Sequence, residues 1–107
     1  MANSSQQRRL RHVVLIKFRH DVTAEQIQEL TTALAALPNK IPEVESLEWG
    51  TDNSPEGLAR GFTHCFLMTF RDAAARDVYL PHPEHQKFVA ILKPRLEDVL
   101  VVDYWSE

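Results

Sequence analysis

The segment Leu10-Arg11-His12-Val13-Val14-Leu15-Ile16-Lys17-Phe18 constrains the fold more than any other, because it is apolar on both sides. At a strand's period of two, His12, Val14, Ile16 and Phe18 share one face, and Val13, Leu15 and Lys17 share the other. Such a strand needs cover above and below. The remaining segments indicate what supplies it. After an Arg19-His20-Asp21-Val22 turn, Thr23 is a good helix N-cap, with Gln26 three residues on as in a capping box. Ile27, Leu30, Leu34 and Leu37 then fall on one helical face, and Pro38 is expected to stop the helix. Further strands are predicted from Val44 to Trp49 (closed by Gly50), from Gly61 to Phe70, and from Asp98 to Trp105. The stretch Thr51 to Arg60 reads as a loop. Asp72 caps a short helix to about Tyr79, and a second runs from Pro83 to about Leu92, with Phe88, Ile91 and Leu92 inward and Pro94 as its end.

The order β-α-β-β-α-(α)-β, with short connections and right-handed crossovers, predicts an α+β ferredoxin-like fold: a four-stranded antiparallel sheet with helices on one face. One domain is expected over 10–105, preceded by a disordered N-terminal segment at 1–9. Helices on one face leave the other open, yet the strands are apolar there too. Val13, Leu15, Leu47, Trp49, Leu67, Leu100 and Val102 would form a patch too large for a monomer. A second sheet should cover it, which predicts a homodimer packed sheet against sheet.

Composition removes several classes of partner. The net charge is −3, and the one basic cluster, Arg8-Arg9-Leu10-Arg11, leads into a strand, so no nucleic-acid partner is expected. No stretch approaches the roughly 20 apolar residues of a membrane span, and Met1 to Gln7 is polar, so a cytoplasmic protein without a membrane partner is expected. Cys65 is the single cysteine, and within its apolar run an inert buried thiol is expected.

The chemistry-bearing residues concentrate in Val78-Tyr79-Leu80-Pro81-His82-Pro83-Glu84-His85-Gln86-Lys87-Phe88. Pro81 disfavours helix at Leu80, while Pro83 suits the first turn of a new one. A helix break is therefore predicted, with Tyr79 ending one helix, His82 in the break and His85 opening the next. A phenol and an imidazole brought together in this way can form an acid–base pair on a small ligand, or a corner that only packs. Between its prolines, His82 reads as a structural residue whose imidazole caps the helix start or orients a neighbour. His12 and His64 are predicted on the helix-facing side of strands one and three, neighbours across the sheet. Several histidines raise the question of a metal, but His82 and His85 lack the i, i+4 spacing of a helical pair and no cysteine set completes a site, so none is assigned. Three glycines, never as Gly-x-Gly-x-x-Gly, supply no dinucleotide motif, and no cofactor is assigned.

The series His12-Val-Val-Leu-Ile-Lys17-Phe18, Trp49-Gly50, Gly61-Phe-Thr-His64, Tyr79-x-x-His82-Pro83-x-His85 and Val101-Val-Asp103-Tyr104 resembles the stress-responsive α/β-barrel (Dabb) family from about Arg11 to Trp105. The resemblance implies a ferredoxin-like dimer forming an α+β barrel. A plant polyketide cyclase of this family closes its substrate by an intramolecular aldol reaction, and its catalytic tyrosine and histidine fall on Tyr79 and His85. By the same resemblance His12 and His64 are supporting residues, and Val14, Ile16, Phe66 and Phe88 would face a substrate. Pro81 and Glu84 depart from that cyclase inside the motif, as do Phe66 and Leu96 at its pocket. The function implied is a small-molecule site with cofactor-free acid–base chemistry on a carbonyl compound. The alternatives are a non-catalytic stress or structural dimer and a cofactor-free monooxygenase of the same fold.

Overall fold

The computed structural model describes residues 8–107. The N-terminal segment expected to be disordered lies outside them at positions 1–7. Arg8 and Arg9, counted with that segment above, are tied to the C-terminal end: the Arg9 amide donates to Ser106 Oγ at 2.8 Å, and the Ser106 amide donates to the Arg9 carbonyl at 2.8 Å.

Four strands, β1 (Leu10–Phe18), β2 (Val44–Thr51), β3 (His64–Phe70) and β4 (Leu96–Trp105), form one antiparallel sheet in the order β2-β3-β1-β4. This is the ferredoxin-like arrangement, with the apolar β1 in the interior of the sheet. Helices α1 (Ala24–Ala35), α2 (Leu37–Lys40), α3 (Ala73–Tyr79) and α4 (Pro83–Leu92) cover one face, and a 3₁₀ turn, Lys93–Arg95, leads into β4.

Local chemistry fixes the helix ends. Thr23 Oγ1 accepts from the Gln26 amide at 3.1 Å while Gln26 Oε1 accepts from the Thr23 amide at 2.9 Å, a complete capping box at α1. Asp72 Oδ1 accepts from the Ala75 amide at 2.9 Å and caps α3. At α4 the cap is an imidazole: His82 Nδ1 accepts from the Glu84 amide at 3.0 Å, with Pro83 next. Between helices and sheet the core contains Ile16, Leu30, Ile41, Phe70 and Tyr79, all essentially inaccessible to water.

Five expectations need correction. Pro38 does not stop the first helix. That helix ends at Ala35, and Pro38 sits in the opening turn of α2, where its missing N–H costs nothing. Gly50 does not close β2, which runs on to Thr51, with Gly50 paired to Cys65. The third strand begins at His64, not Gly61, since positive φ at Arg60 and Gly61 turns the chain just before it. Leu47 and Trp49 lie on the helix side, not in the outer patch. An irregularity between Val44 and Ser46 inserts one residue into β2 and shifts its register, so that Leu47 pairs with Met68 and Trp49 with Phe66. Because side chains alternate, one extra residue moves every later one to the opposite face. Finally, Cys65 is exposed, because the alternation of β3 turns it to the open face opposite Leu15.

The outer face of the protomer therefore carries Val13, Leu15, Leu67, Leu100, Val102 and Tyr104, with the last three about half exposed at 48%, 50% and 48%. The buried core predicts a large penalty for truncation: Phe70→Ala should lower unfolding free energy in urea by about 3–5 kcal/mol.

Candidate active site

The helix break positions the site. Helix α3 ends at Tyr79, and the Leu80 carbonyl, with no helical partner ahead of it, accepts from His85 Nδ1 at 2.8 Å and Gln86 Nε2 at 2.8 Å. A carbonyl only accepts, so Nδ1 of His85 carries the proton and Nε2 is left with its lone pair. The rings of Tyr79 and His85 are 4.3 Å apart between centroids, tilted by 37°. Tyr79 also packs on Phe70 at 5.2 Å and lies 6.1 Å from the ring of His12.

His12 is the one histidine of the sheet on this wall. Its Nδ1 lies 2.7 Å from Asp103 Oδ1, and Asp103 Oδ2 in turn lies 3.2 Å from Arg76 Nη1. The pairing of β1 and β4 sets His12 directly opposite Asp103.

These groups border a cavity of about 250 Å³ between helices and sheet, lined by His12, Val14, Ile16, Phe66 and Met68 from β1 and β3, Val99 and Val101 from β4, Leu34 from α1, and Tyr79, Leu80, His85, Phe88, Val89 and Leu92 around the break and along α4. It is slightly below the roughly 300–1,000 Å³ range of drug-sized ligand sites. His12, Tyr79 and His85 are its polar side chains; the remaining wall is hydrocarbon, thioether and aromatic ring. Among the described residues, no protein group hydrogen-bonds the Tyr79 hydroxyl or Nε2 of His12 or His85.

The structure thus brings together Tyr79, His85, His12, Val14, Ile16, Phe66 and Phe88, and leaves out His64. In antiparallel β1 and β3, His12 pairs with Met68 and Ile16 with His64, so the histidines are four positions apart, about 13 Å along the strand. His64 instead stacks on Trp49 at 6.0 Å and meets Phe18 edge-on at 5.1 Å. Leu96 is partly buried against the core and is not on the cavity wall. Sequence reasoning missed Arg76 and the role of Asp103. Asp103 was legible as the polar member of the otherwise apolar Val99/Val101/Asp103 face; Arg76, in the middle of a short helix, gave no signal. Among the described residues no three His, Cys, Asp or Glu side chains converge as a metal site.

Burial sets the electrostatics. It raises the Tyr79 phenol above its usual range, so the hydroxyl stays protonated and donates. Burial also lowers His85 below the ordinary histidine value; the hydrogen bond to Leu80 opposes this, and the neighbouring His12 and His82 add to it. A neutral imidazole with a free Nε2 therefore faces a phenol that keeps its proton.

The ferredoxin-like sheet and the Tyr-x-x-His-Pro-x-His break define a stress-responsive A/B barrel (Dabb) domain, whose family model matches residues 10–106, and this chain belongs to that family. The chain is 40% identical over 95 residues to the stress-response A/B barrel domain-containing protein HS1 of Arabidopsis thaliana, covering 89% of this chain and 87% of that one. Olivetolic acid cyclase of Cannabis sativa is 28% identical, covering 89% of this chain and 94% of the cyclase. A hydroxynitrile lyase structure from Passiflora edulis superimposes with a TM-score of 0.87 at 29% identity, covering 92% and 94% of the two chains. A dimeric ferredoxin-like protein of unknown function from Thermobifida fusca superimposes with a TM-score of 0.76 at 31% identity, covering 91% and 90%.

Burial also lowers His64. For both His64 and His85 the folded-state value lies below the ordinary value of about 6.5, so the unfolded chain takes up protons first as the pH falls. Their contribution to stability is complete above about pH 6.5 and is lost as the pH falls through the folded-state values. Unfolding free energy should therefore decline as the pH drops below about 6.5, and a His64→Gln/His85→Gln double variant should show a shallower decline.

Proposed function

We propose that this protein is a homodimer whose cavity binds a small carbonyl compound and acts on it by cofactor-free acid–base chemistry, with His85 as general base and Tyr79 as hydrogen-bond donor. The observation that carries the reading is the pairing of an unengaged His85 Nε2 with an unengaged Tyr79 hydroxyl on a cavity wall that, His12 apart, is apolar. Support also comes from two relatives whose names are a cyclase and a lyase.

The chemistry follows from the two groups. His85 Nε2 removes a proton from the carbon next to a substrate carbonyl, and the electron pair moves into an enolate. The Tyr79 hydroxyl donates to the carbonyl oxygen as negative charge develops there. The nucleophilic carbon attacks a second carbonyl of the same molecule, forming a carbon–carbon bond, and the proton on His85 goes to the new alkoxide. The apolar wall holds the rest of the substrate and limits water. Cleavage of a hydroxynitrile asks for the same base, which takes the hydroxyl proton as cyanide leaves and a carbonyl forms.

Linear 1,5-diketones, in which a terminal carbon reaches the second carbonyl through a six-membered ring, and an aromatic cyanohydrin, benzaldehyde cyanohydrin, are suitable test substrates. Tyr79→Phe and His85→Ala should each reduce kcat/KM by about 10²–10⁴-fold. If both variants kept full turnover and ligand affinity while melting at lower temperature, the motif would be a packing corner and the protein a non-catalytic dimer. Oxygen uptake with phenolic substrates would instead indicate a monooxygenase.

For the assembly, support comes from the half-exposed apolar outer face and from dimeric proteins of the same fold. A Leu100→Glu substitution places a charge in the middle of that face. Sedimentation equilibrium should give a dimer for the native chain and a monomer for the variant; a native monomer at micromolar concentration would contradict the assembly.

A further inference from the structure

Arg76 lies outside the cavity, yet it is linked to the cavity wall through two contacts. It stands on α3 three residues before Tyr79, and its Nη1 takes one oxygen of Asp103 at 3.2 Å while the other oxygen lies 2.7 Å from His12 Nδ1. The three side chains become progressively more buried toward the cavity: 26% exposed for Arg76, 23% for Asp103 and 9% for His12. The carboxylate is thus divided, with one oxygen for the guanidinium and one for the imidazole.

Two consequences follow. The acceptor opposite Nδ1 fixes the ring so that the other nitrogen, Nε2, is the one a ligand meets. The guanidinium holds the other Asp103 oxygen, so the carboxylate stays in the place from which it orients the ring. Other groups around His12 do not replace it. Tyr79 on α3 keeps its phenol proton, His85 on α4 has lowered basicity, and Met68 and Phe70 on β3 are uncharged. Asp77, beside Arg76, is bonded through the guanidinium Nε at 3.1 Å and does not reach the Asp103 side of the fork.

We propose that Arg76 is a positioning residue for the cavity: by holding one oxygen of Asp103 it keeps the other against His12 Nδ1, which orients the ring so that Nε2 is available to accept a hydrogen bond from the ligand. The inference deepens the proposed function, because it makes His12 a second acceptor beside His85. A ligand matching the site then offers one oxygen to Tyr79 and two polar hydrogens to the imidazoles.

The test is read on the ligand-free protein, with ¹⁵N-labelled histidine at one slightly alkaline pH. The native chain should show one protonated and one lone-pair nitrogen for His12, two well-separated resonances. In Arg76→Met, where Asp103 loses the group that holds it, the two resonances should move toward each other as the ring exchanges between its two tautomers. Arg76→Gln, which preserves more of the side-chain packing, should do the same and carries the test if the Met variant does not fold. Arg76→Lys keeps the charge and should retain the native pattern. The proposal fails if the folded Met or Gln variant leaves both resonances unchanged, or if the Lys variant behaves like Met. Titration of native protein and variants with benzaldehyde then separates this inference from the proposed function. A native His12 pattern lost on Arg76→Met, with no benzaldehyde binding to either protein, would sustain the positioning role and overturn the ligand reading.

Discussion

The carbonyl of Leu80 is the pivot of this structure. It belongs to the residue after α3: Leu80 keeps helical dihedrals (φ −57°, ψ −46°) although a proline follows it, and Pro81, with no N–H to donate, ends the hydrogen-bond ladder. Two side chains from the next helix, His85 and Gln86, satisfy it. The same contact joins α3 to α4, sets which His85 nitrogen carries the proton, and holds the imidazole against the ring of Tyr79. Satisfying the carbonyl with a histidine turns a structural requirement into a defined chemical orientation.

Charge is managed around the cavity without placing a bare ion on its wall. Burial keeps the phenol protonated and His85 deprotonated, so both partners are neutral and complementary. The one carboxylate near the wall, Asp103, is paired on both oxygens. Neutral donors and acceptors in an apolar enclosure suit a substrate whose charge appears only as the reaction proceeds, since a fixed dipole there is not weakened by water.

Much of this was legible in the sequence, where the signal was local. Proline stereochemistry located the helix break, Thr23 and Gln26 located the first helix, and the apolar alternation of β1 and β4 located the sheet and its open face. The errors came from interactions that span the chain. One inserted residue near Val44–Ser46 reversed the faces of Leu47 and Trp49, and no composition or period announces a bulge. His12 and His64 carry the same period on their strands, but antiparallel pairing separates them along the sheet. Cys65 looked buried because the open face of a single sheet is as apolar as a core. Arg76 could not be found because its partner, Asp103, lies on the last strand.

The central claim is that the space beneath the helix break is an open ligand site and not a packed corner. A methyl-resolved NMR titration with 4-hydroxybenzaldehyde, which carries both a carbonyl and a polar hydrogen, tests this most directly. Saturable shifts confined to Val14, Val99, Val101 and Leu92, which line the cavity, are the predicted result. No saturable shift, or shifts confined to Leu15, Leu100 and Val102 on the opposite face of the sheet, would contradict it.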